Sequence, residues 1–173
     1  MSPLKKKICL LGAFAVGKTS LVGRFVLSLF SERYQTTVGV KVDKKELALA
    51  SGPLTLVIWD VHGEDHVQSV RAAYLRGAAG YLLVADGTRA YTLDVAEEIR
   101  RRVEAELGPR PFVLLLNKSD RRGEWEITPG RVEALREQGW TVIETSARDG
   151  IGVEDGFRAL GEKLVGEHPP GEG

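Results

Sequence analysis

Between an apolar run, Ile8-Cys9-Leu10-Leu11, and a helix-patterned stretch from about Lys18 to Phe30 lie the residues Gly12-Ala13-Phe14-Ala15-Val16-Gly17-Lys18-Thr19. Four residues separate two glycines, and Lys and Thr follow; no other feature constrains the chain as strongly. A phosphate-binding loop needs this arrangement. Successive backbone N–H groups curl around the anion, and glycine supplies torsions or close approaches that other residues resist. The following helix points its positive end at the same anion. Lys18 adds a full charge for the β and γ phosphates, and the Thr19 hydroxyl suits Mg²⁺. The position between strand and helix is the setting that this chemistry requires, so the loop predicts bound phosphate rather than a chance glycine turn.

Elsewhere, β-rich apolar runs alternate with longer helical ones, which predicts an α/β fold with a mostly parallel sheet and crossover helices. Expected strands are Lys7–Leu11, Val38–Leu49, Leu54–Trp59, Gly80–Ala85, Pro111–Leu116 and Trp140–Glu144. Ser51-Gly52-Pro53 turns the second strand back on the third, giving one antiparallel edge strand. Helices are expected over Lys18–Phe30, near Val67–Leu75, over Leu93–Leu107, from Thr128-Pro129 to Gln138, and over Val153–Val165. Val95, Ile99, Val103 and Leu107 mark a buried stripe, with Glu97/Arg101 and Glu98/Arg102 as i,i+4 pairs on the solvent side. Six strands and five helices make a three-layer sandwich. The 173 residues fit one domain, 1–166, with 167–173 as a flexible tail.

Twenty-four Lys and Arg balance 24 Asp and Glu, so charge gives no case for a nucleic-acid partner. Lys5-Lys6-Lys7 reads as a solvated strand entrance. Cys9, the single cysteine, reads as a small core hydrophobe and suits a reducing, cytoplasmic setting. Gly166–Gly173 contains no Cys, and residue 2 is Ser rather than Gly, so no lipid anchor is expected.

A phosphate loop does not choose a base. Asn117-Lys118-Ser119-Asp120 follows a buried strand, where the loops of an open α/β sheet face the ligand crevice. A carboxylate there accepts from guanine N1–H and the 2-amino group. Adenine offers no such donor pair and would leave the charge unpaired. Alone, the tetrapeptide is also compatible with an ordinary turn; after a phosphate loop at this distance it predicts guanine.

With these motifs in place the chain resembles the Ras-superfamily small GTPases, nearest in local wording to their Rab branch. Tyr34-Gln35-Thr36-Thr37-Val38-Gly39-Val40 resembles the first switch. Trp59-Asp60-Val61-His62-Gly63-Glu64-Asp65 resembles the second, Tyr74-Leu75-Arg76-Gly77-Ala78 a Rab-like segment, and Glu144-Thr145-Ser146-Ala147-Arg148 the second base loop. The resemblance implies a six-stranded P-loop GTPase fold that binds GTP and GDP with Mg²⁺.

It also implies roles. Gly12 to Thr19 with Ser20 would hold the phosphates. Thr19 and Thr37 would ligate Mg²⁺ directly and Asp60 through water. Backbone N–H groups of Thr37 and Gly63 would reach the γ-phosphate, with Lys18 and the residue at 64 completing catalysis. Phe30 would pack edgewise on guanine, with helix-end core packing as the alternative that pattern alone leaves open. Asn117 would brace the base loop, Lys118 lie along the base, and Ser146, Ala147 and Arg148 form the second base loop, with the Ala147 N–H meeting O6. Effectors and regulators would read Thr36–Val40 and Asp60–Arg76.

Departures from the family pattern fall on catalysis. Glu64 stands where glutamine usually orients the attacking water; an ionised glutamate only accepts hydrogen bonds, and its charge lies near the γ-phosphate. Phe14 replaces a small residue, where its ring would crowd the transition state or an incoming arginine finger. His62 reads as a solvated loop residue unless it reaches the water. Two functions stay open: a switch that hydrolyses GTP slowly, and a GTP-binding interaction module with little turnover. A nucleotide kinase would need an acceptor lid, for which Gly87–Asn117 offers only one helix.

Overall fold

The computed structural model describes residues 4–27, 40–61 and 72–166. Phe30, the segment 34–39, residues 62–71 and the expected tail 167–173 lie outside the described residues.

The chain runs β1 (Leu4–Gly12), α1 (Lys18–Leu27), β2 (Val40–Leu49), β3 (Gly52–Val61), α2 (Ala72–Leu75), β4 (Gly80–Asp86), α3 (Tyr91–Leu107), β5 (Phe112–Asn117), α4 (Pro129–Glu137), β6 (Val142–Glu144) and α5 (Val153–Gly166). The sheet order is β2-β3-β1-β4-β5-β6. Every neighbouring pair is parallel except β2–β3, where Leu49 meets Gly52 across the expected turn.

Alternation along the strands divides the core. Ile8 and Leu10 join Leu54, Leu56, Leu82 and Leu115 beneath α1 and α5, where Phe25 stacks on Phe157 at 4.0 Å. Cys9 and Leu11 point the other way, with Leu83, Leu114 and Leu116, toward Leu93, Ala96, Ile99 and Val103 of α3. Three layers follow because both faces of a parallel sheet are apolar and each must be covered. Burial and the nearby Lys7 charge act oppositely on the Cys9 thiol; burial prevails and pushes its pKa up to about 11, as befits a core hydrophobe.

Several boundaries and pairs differ from expectation. The last strand starts at Val142 rather than Trp140, because Gly139, at φ +92°, ends the α4 turn and Trp140 packs edge-on against Phe112. Thr128 does cap α4, its hydroxyl accepting from the Arg131 N–H at 3.3 Å. On α3, Glu98 pairs with Arg101 one turn away, while Glu97 faces α4 and pairs with Arg131. Lys7 is not freely solvated: its ammonium lies 3.6 Å from the Trp59 ring centre and donates to the Arg76 carbonyl at 2.7 Å. A 3-10 helix over Ser119–Glu124 was not expected.

Among the described residues no helix is long and apolar enough to cross a membrane.

Candidate functional site

The strand order reverses at β1: β3 lies on one side and β4 on the other. A crevice opens at the carboxyl ends of strands flanking such a switch point. The loops after β1, β4, β5 and β6 all converge there.

The loop after β1 carries the phosphate motif, and the reasons for its small residues are now separable. Gly12, still on β1, has ordinary strand torsions, but a Cβ there would overlap the Val84 carbonyl. The left-handed torsions fall at Gly17, φ +104°, and at Ala15, φ +60°, a conformation that a residue with a Cβ adopts at a cost. Ala13 and Val16 are buried and anchor the loop to the core, whereas Phe14 stands 60% exposed. The Gly17 carbonyl accepts the first helical bond, from the Leu21 N–H at 2.9 Å.

Lys18 is 6% exposed and folds back over the loop, its ammonium donating to the Gly12 and Ala13 carbonyls at 3.0 and 3.2 Å. Burial lowers its pKa to about 8, against the opposing pull of the Asp60 carboxylate. Beside it the Thr19 hydroxyl donates to Asp60 Oδ2 at 2.6 Å. Asp60 is fully buried, and its Oδ1 has no hydrogen-bond partner among the described residues. A buried carboxylate oxygen without a donor, next to a hydroxyl, is a hard oxygen set that fits Mg²⁺.

The base-reading residues gather on the other side of the loop. Asn117 is the last residue of β5, not the first beyond it. Its Nδ2 donates to the Val16 carbonyl at 2.9 Å, and its Oδ1 accepts from Thr145 Oγ1 at 3.1 Å and the Ala147 N–H at 3.3 Å. Lys118 takes left-handed torsions, φ +73°, and its ammonium crosses to the Ala15 carbonyl at 3.3 Å. Asp120 Oδ1 accepts from Ser146 Oγ at 2.9 Å, and Ser146 Oγ in turn accepts from the Asp149 N–H. A cavity of about 290 Å³ is lined by Gly17, Ser20, Asn117, Lys118, Asp120, Arg121, Ala147 and Arg148.

Thus Gly12 through Ser20, Asp60, Asn117, Lys118, Asp120 and Ser146 through Arg148 come together. Phe30, Thr37, Gly63 and Glu64 lie outside the described residues, as does most of both stretches expected to meet partners.

One participant escaped the sequence reading. Asp86 ends β4 fully buried, with its carboxylate 2.9 Å from both the Lys118 ammonium and Arg89 Nε. It also accepts from the Thr88 N–H and hydroxyl. Burial would raise its pKa, but the hydrogen bonds from Lys118, Thr88 and Arg89 outweigh that and hold it below the usual carboxylate value. Arg89 continues to the Phe14 carbonyl at 3.0 Å, tying this anchor to the phosphate loop. The signal was an acidic residue closing an apolar strand beside the phosphate-loop strand.

The Ras family profile matches residues 7–165 of the chain. The chain belongs to the Ras family. It is 32% identical over 172 residues to Ras-related protein Rab-32 of Homo sapiens, covering 94% of this chain and 76% of that protein. It is 33% identical over 178 residues to Ras-related protein Rab-7b of Homo sapiens, covering 97% and 88%. Ras-related protein Rab-7a of Dictyostelium discoideum is 32% identical over 166 residues, covering 92% and 82%. The chain is therefore a Rab-like member of the Ras superfamily with the P-loop GTPase fold, a GTP-binding switch GTPase.

Proposed function

We propose that this Ras-family chain hydrolyses GTP to GDP and phosphate slowly, by in-line attack of water, and that exchange as well as chemistry sets its nucleotide state. The observation that carries the reading is the side-by-side placement of two half-sites. One is the Lys18–Thr19–Asp60 cluster, with a carboxylate oxygen that no donor among the described residues meets, and the other is the cavity bordered by Asp120.

In this reading the Gly12–Gly17 backbone and the α1 N-terminus hold the phosphates. Lys18 exchanges its two carbonyl partners for the β and γ oxygens and counters the charge that develops on them. Thr19 and Asp60, with Thr37, hold Mg²⁺, which when bound neutralises phosphate charge. Asp120 reads the guanine edge, the Ala147 N–H meets O6, and Asn117 fixes both loops to the phosphate loop. Thr37 and Gly63 sense the γ-phosphate, Phe30 flanks the base, and Glu64 is the group nearest the attacking water. Loss of the γ-phosphate frees both switch segments, so that Thr36–Val40 and Asp60–Arg76 present different faces to effectors and regulators. The GTPase domain spans 1–166.

Two residues slow the reaction. An acceptor-only Glu64 replaces a side chain that donates and accepts, and an exposed phenyl ring at Phe14 stands on the phosphate loop. Single-turnover hydrolysis of the parent and of a Phe14→Gly/Glu64→Gln double variant tests this. Measurable release from the parent and release at least tenfold faster from the variant are expected. No phosphate release from a GTP-loaded parent would assign the chain instead to binding without turnover, the reading that the same two residues also favour.

A further inference from the structure

We infer that Trp125 is a positioning residue for guanine selection: its indole holds the Lys118 peptide in the backbone conformation that sets Asp120 at the base cavity. This rests on the guanine-reading role proposed for Asp120.

Lys118 is the difficult residue of its loop. It is not glycine, yet it sits at φ +73°, ψ +39°, where an L-residue's Cβ crowds the adjoining carbonyl. Two donors hold that carbonyl. One is local, the Arg121 N–H at 2.9 Å within the 3-10 turn. The other is the indole Nε1–H of Trp125, also at 2.9 Å, from the segment that follows the turn. An indole N–H only donates, so it cannot trade this role for another with the same carbonyl. Asp120 lies two residues beyond Lys118, so rotation of the Lys118 peptide displaces its carboxylate directly.

The indole also braces the other side of Lys118. Gly87 lies directly against it, with no room for a Cβ between them. Gly87 follows Asp86, the carboxylate that pairs with the Lys118 ammonium. The Gly87 N–H donates to the Asn117 carbonyl at 3.0 Å, and its own carbonyl accepts from the Glu126 and Ile127 N–H groups. One aromatic ring thus touches both the Lys118 backbone and the turn that carries the Lys118 counterion. On its outer side the Arg122 guanidinium covers the ring at 4.1 Å and pairs with Glu144, the residue that leads into the second base loop. A purely structural tryptophan would need burial alone. This one is half-buried, and its polar atom is spent on the residue next to the base motif.

The test uses the full chain and two diphosphates, GDP and IDP, the latter lacking the 2-amino group that Asp120 reads. Trp125→Phe keeps a ring against Gly87 but removes the donor; Trp125→Leu removes both. By calorimetric titration Trp125→Phe is expected to weaken GDP about tenfold and IDP less, so that the GDP/IDP preference falls several-fold. GDP affinity and preference both within twofold of the parent would overturn the inference, even with a lower melting temperature, since that is what a merely structural role gives.

A second measurement keeps Trp125 in place. In a Trp59→Phe/Trp140→Phe background its emission is expected to shift with GDP and not with pyrophosphate; equal responses, or none, would overturn the inference. A parent that binds ADP as well as GDP would instead sink the guanine reading itself. A GDP-selective parent with an unmoved Trp125→Phe variant sinks only the role given to Trp125.

Discussion

Asn117 and Val16, 101 residues apart in sequence, are joined by one hydrogen bond of 2.9 Å from the Asn117 amide to the Val16 carbonyl. Through it the end of β5 holds the phosphate loop, while the same side chain's oxygen holds Thr145 and Ala147 of the loop after β6. Three loops that meet nucleotide in the proposed reading are thereby fixed to one amide that is 2% exposed.

Asn117→Asp separates the two halves of that amide. A carboxylate still accepts from Thr145 and Ala147 but cannot donate to Val16, and instead faces its carbonyl. A loss of about 1–3 kcal/mol by urea unfolding is expected, the range for a buried acceptor stripped of its donor, together with at least tenfold faster GDP release. Asn117→Ala should lose similar stability, since it removes the donor and the acceptor together. A GDP release rate unchanged in Asn117→Asp would mean that the Val16 link does not reach the site.

Asp86 is the second hub, and its charge gives a pH signature. Its pKa is lowered on folding, so its contribution is fully present above the ordinary carboxylate value and is lost as pH falls through the lower, folded value. Asp86→Asn should destabilise the protein by about 2 kcal/mol at pH 7, less than a fully buried pair because Lys118 and Arg89 are each more than a quarter exposed. The gap between parent and variant should narrow below about pH 4. Thermal melts at pH 7 and pH 3 would show it; a gap that is constant with pH would mean that the charge is not what matters.

Much of this arrangement was legible in the sequence, because the motif residues are constrained by what they touch. The phosphate loop, the Asn117–Asp120 segment and the Ser146–Arg148 loop each announced themselves, and the alternation of strands and helices placed them at one end of a parallel sheet. Asp86 and Trp125 did not announce themselves. Each acts through tertiary contacts with Lys118, and no periodicity or local spacing encodes a partner more than thirty residues away, as Asp86 is. Nor did residue type reveal why Gly12 is glycine: the demand comes from the Val84 carbonyl on β4, not from its own torsions. Helical spacing pairs Glu97 with Arg101 for the same reason: it describes one helix, whereas the partner, Arg131, sits on another.

The lowered pKa of Lys18 couples nucleotide to protons. Burial works against the Lys18 ammonium and lowers its pKa to about 8, whereas phosphate demands the ammonium. Affinity for GDP should therefore be flat below about pH 7.5 and fall as pH rises through 8 and above. Calorimetry at pH 8.5 in buffers of different ionisation enthalpy should detect net proton uptake on binding. Lys18→Arg, charged throughout this range, should abolish the uptake. Uptake that persists in Lys18→Arg would place the proton elsewhere.

Thr19 and Asp60 should separate metal from nucleotide. Thr19→Ala removes the donor to Asp60 Oδ2, leaving both carboxylate oxygens buried beside a site with one fewer hard ligand. The Mg²⁺ concentration that half-maximally slows GDP release should rise about tenfold, while release in excess chelator stays close to that of the parent. Thr19→Ser restores the hydroxyl and should restore the parent value. Failure of serine to rescue would show that the threonine methyl, not the oxygen, was responsible.

Gly17→Ala tests steric demand and torsion together. Gly17 sits at φ +104°, which L-residues rarely adopt, and a Cβ there would overlap the Asn117 amide that donates to Val16. The loop must therefore either change torsion or push Asn117 aside, and both responses open the link between the phosphate loop and the base loops. Ala15→Gly is the natural counterpart. Ala15 already holds a left-handed torsion at φ +60° with its side chain exposed, so glycine relieves strain there without opening space in the core. The pair should move in opposite directions: Gly17→Ala losing about 2 kcal/mol or more and most of its nucleotide affinity, Ala15→Gly close to neutral in stability and affinity. Melting temperature with and without GDP separates fold from site. Were Gly17→Ala to keep parental affinity, the close approach of Gly17 to Asn117 would have no part in holding nucleotide, and the three-loop junction at Asn117 would lose its functional meaning.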